Sequence, residues 1–171
     1  PDAKECEKTD PDKVSVLGVE GAPGETVKLE IQLENHSPMA LVLFDLLFES
    51  ALLSFDEAAT VEFGSRAETL DFMALPLSAD AHQFGLYTKD ATAVIPPGDD
   101  VVLGLPFQIA PEAEPGTTLV FFGVAYFYDD TYTSIPFDTV AGAVVITDTD
   151  TNTDTDTGID TGTDTDTGSG T

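Results

Sequence analysis

The residues of this chain whose types suit chemistry are two histidines, one cysteine and three adjacent acidic pairs. His36 lies in Asn35-His36-Ser37-Pro38, a turn sequence, and His82 opens the run His-Gln-Phe-Gly-Leu-Tyr-Thr. Neither stands at a metal-ligand spacing, and the lone Cys6 is remote from both, so the chain offers no zinc set. Both histidines read as turn or surface residues. Triads recur in several chain orders, so order alone excludes nothing. There is, however, no Gly-x-Ser-x-Gly elbow and no glycine-rich phosphate loop. The expectation is a non-catalytic protein that requires no cofactor.

The acidic pairs are Asp56-Glu57, Asp99-Asp100 and Asp129-Asp130. Neighbours on a strand point to opposite faces, so such pairs act together only in turns, where backbone carbonyls can join them around Ca²⁺. Asp129-Asp130, between Tyr128 and Tyr132, suits this best, with a solvated turn as the plainer reading. Tyr126, Tyr128 and Tyr132, with Phe127 among them, form an aromatic run suited to a sugar ring or a protein partner. On a strand only alternate members are exposed, so half of this run belongs to a core. Beyond Ile146 the chain becomes Thr-Asp repeats, in which Thr149, Thr151, Thr153, Thr155 and Thr157 are candidate O-glycosylation positions. Asn152, Asp154 and Asp156 have the spacing that opens a calcium loop, but Gly158 falls one place late and the closing Glu is absent.

Strands must position these groups. Thr26 to Asn35 alternates strictly, Val27, Leu29, Ile31 and Leu33 against Lys28, Glu30, Gln32 and Glu34, which is the period of a half-buried strand. Leu41 to Phe48 is apolar on both faces except for Asp45 and reads as a central strand. Further strands are expected at Val14–Val19, Val61–Phe63, His82–Thr88, Val101–Ile109, Thr117–Tyr128, Thr133–Phe137 and Val140–Ile146. Pro106 removes a ladder donor and points to an edge or a bulge. Glu49 to Phe55 reads as a turn plugging one end, and Arg66 to Ala81, where Pro76 interrupts an irregular pattern, as loop or short helix. The sum is an all-β fold, roughly nine strands in an antiparallel β-sandwich.

The 171 residues carry a formal charge of −26, which sets aside nucleic acid and anionic lipid as partners. Between Val14 and Ile146, 20 acidic residues face only Lys28, Arg66 and Lys89, so the folded part is itself anionic. Three regions follow: a flexible leader over 1–13, the sandwich over 14–146, and a Thr/Asp-rich linker or tail over 147–171. With one cysteine there is no internal disulfide; Cys6 is an incidental thiol or an intermolecular bridge. No run is long and apolar enough to span a bilayer, and no signal peptide is visible at Pro1, as in a mature exported protein and equally in a cytoplasmic one, so the tail composition has to decide. The acidic spacer places the expectation at the cell surface or outside the cell.

A family resemblance joins these pieces. Gly21-Ala22-Pro23-Gly24-Glu25-Thr26-Val27-Lys28-Leu29-Glu30-Ile31 resembles the Gly-x-x-Gly-x-x-Val-x-Val-x-Val opening of cohesin domains, the receptor modules of cellulosome scaffolds. Phe44-Asp45-Leu46-Leu47-Phe48-Glu49-Ser50-Ala51-Leu52-Leu53 is similar to their Phe-x-Phe-x-Tyr-Asp-Pro-x-x-Leu segment, and later strands follow in the family's order. The resemblance implies a nine-strand, jelly-roll-like sandwich without enzymatic activity that docks a calcium-loaded dockerin helix pair on one sheet face. Members that bind through polar contacts often carry Asp or Asn where this chain has Leu43; here the acidic residue is Asp45, on the same face as Leu41, Leu43 and Leu47. Either the partner is unlike the familiar dockerins or another segment covers that face.

The functional expectation is a cohesin-like module, secreted or surface-displayed, that binds a dockerin-like protein through Leu41, Leu43, Asp45 and Leu47. Two rivals stand beside it: a subunit of an extracellular filament or coat, in which copies associate by strand or tail exchange with Ca²⁺ reinforcement, and a carbohydrate-binding module using the tyrosines.

Overall fold

Alternation at Thr26–Asn35 becomes a ten-residue strand with those bounds, and its apolar set is buried: Leu29, Ile31 and Leu33 are fully inaccessible. The computed structural model describes residues 10–88 and 92–148. Cys6, nearly all of the expected leader and the candidate positions Thr149 to Thr157 of the tail lie outside the described residues. Twelve strands run in order: β1 (Asp12–Val16), β2 (Val19–Gly21), β3 (Thr26–Asn35), β4 (Met39–Leu47), β5 (Leu53–Phe55), β6 (Glu62–Phe63), β7 (Asp71–Ser78), β8 (Ala81–Tyr87), β9 (Gly98–Ile109), β10 (Gly116–Asp129), β11 (Phe137–Val140) and β12 (Gly142–Ile146). No helix occurs among the described residues.

The strands form two six-stranded sheets. One has the order β11-β1-β3-β9-β5, with β6 also on β9; the other is β2-β12-β10-β4-β8-β7. All pairs are antiparallel except β1 with β11 and β2 with β12. The expected Val14–Val19 strand is two, because the chain leaves the first sheet after Val16 and joins the second at Val19. The last strand switches sheets in the same way at Ala141. β5 and β6 are likewise two short pieces on one side of β9. Counting each of these three pairs as one interrupted strand leaves the nine of a jelly-roll-like sandwich.

Between the sheets Phe44, Phe84, Phe107 and Phe127 are fully buried among Leu, Ile and Val side chains. Rings meet edge to face, Phe55 with Phe84 at 5.0 Å and Phe48 with Phe107 at 5.2 Å, geometry that the ring quadrupole favours. Burial of each such side chain contributes about 1.5–3 kcal/mol.

Further expectations change. The strand expected at Thr133–Phe137 is not formed: Ser134 makes only an isolated bridge with Tyr128, and β11 begins at Phe137. Arg66 to Ala81 is not a helix or mere loop: Asp71–Ser78 is strand β7, paired with β8 and holding the sheet edge, where Pro76 is tolerated. Glu49 to Phe55 is a turn only at first, since Leu53–Phe55 pairs with β9. Pro106 lies inside β9, which has neighbours on both sides; its missing donor falls where β5 gives out, the Asp56 amide donating to the Pro106 carbonyl at 2.9 Å. A bulge at Val102 resets the alternation of β9, so Val102 is buried where Val101 is only half-buried.

Candidate functional site

The sheet β2-β12-β10-β4-β8-β7 has one face in the core and one outside. On β4, Val42, Phe44 and Leu46 point inward, and Leu41, Leu43, Asp45 and Leu47 share the outer face. Register carries this face across the sheet. Tyr128, Tyr126 and Phe121 of β10 stand opposite Leu41, Leu43 and Leu47. On the other flank Tyr87, Gly85 and Gln83 of β8 oppose Leu41, Leu43 and Asp45, and Met73 and Leu75 of β7 follow. A side chain at Gly85 would lie 2.9 Å from Met73 and 3.1 Å from Leu43, so those two close over it.

The face is apolar and open. Leu47 is 41% exposed, Phe121 46% and Leu75 48%, and Leu77, Leu119, Val124 and Tyr126 are comparably exposed. These apolar side chains lie together on the solvent side of one sheet, an exposed patch of the kind that needs an explanation. The polar group at its centre is Asp45, which accepts a hydrogen bond from Gln83 Nε2 at 2.9 Å. β10 bulges between Phe122 and Ala125 beside it, where a Cβ added at Gly123 would lie 3.2 Å from the Asp45 Cβ and Val124 is exposed.

Of the tyrosines, Tyr126 and Tyr128 lie on this face, while Phe127 between them is buried and stacks on Phe137 at 4.0 Å. Tyr132 sits apart, in the loop after β10. The Tyr132 amide donates to the Asp129 carbonyl at 2.9 Å, the Asp129 amide donates to the Thr133 carbonyl at 3.0 Å, and Tyr132 takes φ 59°, the left-handed position usually given to glycine. Asp129 closes this loop: its Oδ1 accepts from Thr131 Oγ1 at 2.7 Å, Thr133 N at 2.8 Å and Thr131 N at 2.9 Å. The Thr131 hydroxyl first, then the two amides, hold the Asp129 carboxyl below the usual range. That oxygen is committed to the turn. Asp130 next to it is exposed, and among the described residues no three His, Cys, Asp or Glu side chains gather as a metal group.

The histidines diverge. His36 Nδ1 lies 2.6 Å from Oδ1 of the nearly buried Asp12, which also accepts the His36 amide at 3.0 Å; the Asp12 carboxylate raises the imidazole pKa above its ordinary value. His82 is not the surface residue expected. Its side chain is 13% exposed, stacks on Phe84 and packs at a tilt against Phe48 and Phe55 at 5.6–6.0 Å, with Nε2 3.8 Å from Glu57 Oε1 and Nδ1 buried without a hydrogen-bond partner.

Sequence reasoning placed the β4 residues on one face and missed Phe121, Leu119, Leu75, Leu77 and Gln83. The alternation Leu119, Phe121 around Val120 was a usable signal for β10; nothing local announces that Gln83 reaches Asp45.

A family model for the cohesin domain matches residues 13–146. Among solved structures, the chain is similar to the Coh-OlpA cohesin in complex with Doc918 from Clostridium thermocellum, with TM-score 0.70 and 16% identity over 81% of this chain and 100% of that one. It is also similar to a non-cellulosomal cohesin from the hyperthermophilic archaeon Archaeoglobus fulgidus, at TM-score 0.67 and 15% identity over 82% and 94%. CaCohA2 from Clostridium acetobutylicum has TM-score 0.68 and 19% identity over 82% and 93%. These identities carry the fold alone. No curated protein matches in sequence.

Proposed function

Because this chain belongs to the cohesin domain family, we propose that it is a non-catalytic protein-binding module, extracellular or displayed at a cell surface, whose ligand is a dockerin-type module docked on the outer face of β10, β4, β8 and β7. The observation that carries this reading is the open apolar face itself, with Leu43, Leu47, Phe121 and Tyr126 around the Asp45–Gln83 pair. Two of the similar structures are cohesins, and the Clostridium thermocellum one is bound to a dockerin. The partner recognised here presents a largely apolar surface with one donor placed for Asp45. Tyr126, a large ring fixed by few torsions, is the expected anchor.

Titration calorimetry of the domain against a panel of dockerin modules tests the reading. Tyr126→Ala is expected to cost about 2 kcal/mol or more of binding, and Leu43→Asp to weaken it at least about tenfold, by setting an unpaired charge beside Asp45. Binding to none of the panel, or binding indifferent to both substitutions, would sink the assignment of this face.

A further inference from the structure

The outer face continues past the end of β4. Along Gly116–Val120, β10 pairs with β12 on one side; on the other its pairing with β4 begins only at Phe121, opposite Leu47. Beyond Leu47 the chain turns away: the Phe48 amide donates to the Asp80 carbonyl at 3.0 Å, and the Leu52 and Leu53 amides to the Glu49 carbonyl at 2.9 Å. This leaves an open slot of about 680 Å³, with Thr117, Leu119 and Phe121 on one wall and Leu47, Glu49 and Asp80 on the other. Among the described residues no strand runs beside Gly116–Val120 on that side.

A strand without a neighbour offers main-chain donors and acceptors to another extended chain. This edge is flanked by apolar side chains, Leu119 and Phe121 being nearly half exposed, and both charged residues lining the slot are acidic. Hydrogen bonds from Ser50, whose amide reaches Asp80 Oδ1 at 3.0 Å, hold Asp80 below the usual carboxylate range, so the negative charge persists into mild acid. We propose that this slot is a second docking site, for an extended segment of a partner protein that adds as a strand to β10, rests an apolar side chain on Leu47, Leu119 and Phe121, and sets Lys or Arg against Glu49 and Asp80. The chain's own residues 149–171 do not suit it: they carry six Asp, no Lys or Arg, and a single large apolar residue, Ile159. The slot borders the proposed dockerin face and shares Leu47 and Phe121 with it, while its open strand edge along Gly116–Val120 and its acidic wall of Glu49 and Asp80 lie outside the contacts around Leu43 and Tyr126.

The test is an NMR titration of the ¹⁵N-labelled full chain with two capped peptides, Lys-Val-Leu-Val-Lys and its charge-inverted form Glu-Val-Leu-Val-Glu. With the basic peptide, saturable shifts are expected at amides within Gly116–Phe121 and at Ala81, with slowed amide exchange along Gly116–Val120. The acidic peptide is expected to leave them unmoved. Glu49→Lys, an exposed change whose folding the spectrum itself reports, is expected to weaken the basic peptide about fivefold. No saturable shift up to about 1 mM peptide, equal binding of both peptides, or shifts confined to Leu43 and Tyr126 would each overturn the proposal.

Discussion

Arg66 is the basic side chain on which the described fold leans most. Only 10% exposed, it pairs with Asp100 and donates from Nη1 to Asn35 Oδ1 at 2.6 Å and the Pro96 carbonyl at 2.7 Å, and from Nη2 to the Leu33 carbonyl at 2.6 Å. It ties the segment after β6 to the end of β3 and the approach to β9. Arg66→Ala strips the donor from a buried Asn35 and from two carbonyls and is expected to cost about 2–4 kcal/mol, read as a lower urea midpoint. His36 gives the domain a pH dependence. Its pKa is raised in the fold by Asp12, so its stabilisation is complete below the unfolded value of about 6.5 and is lost as pH rises through the higher folded value. Thermal melts from pH 6 to 9 are expected to show this decline, and His36→Gln to flatten it. Neither role was legible in sequence. Arg66 and Asp100 are far apart in the chain, and a histidine beside a turn looks the same whether or not an aspartate from another strand comes to meet it.

At the level of elements, strands with one wet face were readable and those with unusual faces were not. β3 announced itself because its two sides differ in polarity. β7 did not, because Leu75 and Leu77 are apolar yet face solvent, and the register slips between Pro76 and Ser78. The breaks of the first and last strands escaped notice for another reason: a corner between sheets leaves little mark on a short apolar run. Its mark here is Gly142, where a Cβ would meet Val16 Cγ1 at 2.5 Å and the Val16 carbonyl at 2.7 Å. Gly142→Ala is therefore expected to cost about 1–3 kcal/mol through forced displacement at this corner, again measured by the urea midpoint with an unchanged slope.

The whole molecule is an apolar platform on a strongly anionic body. A charge of −26 attracts a basic partner over distances that salt shortens, while the apolar centre is indifferent to salt. Stopped-flow association with a cationic dockerin module is expected to slow about tenfold or more between low salt and 0.5 M, with dissociation nearly unchanged. Composition alone establishes that field, and the alternation of β3 and the dryness of β4 establish an all-β sandwich, because charge and pleat period are local properties that each residue carries with it. The motifs from Gly21 and from Phe44 pointed to the family on the same footing. Which apolar faces stay uncovered is a different kind of question. Leu41, Leu43, Asp45 and Leu47 form part of a platform only because β10 and β8 flank β4 in register, and the slot beside Gly116–Val120 exists only because β4 stops at Leu47. Both depend on strand order and strand ends, which pairings between distant parts of the chain decide, and so only the tertiary structure could place them.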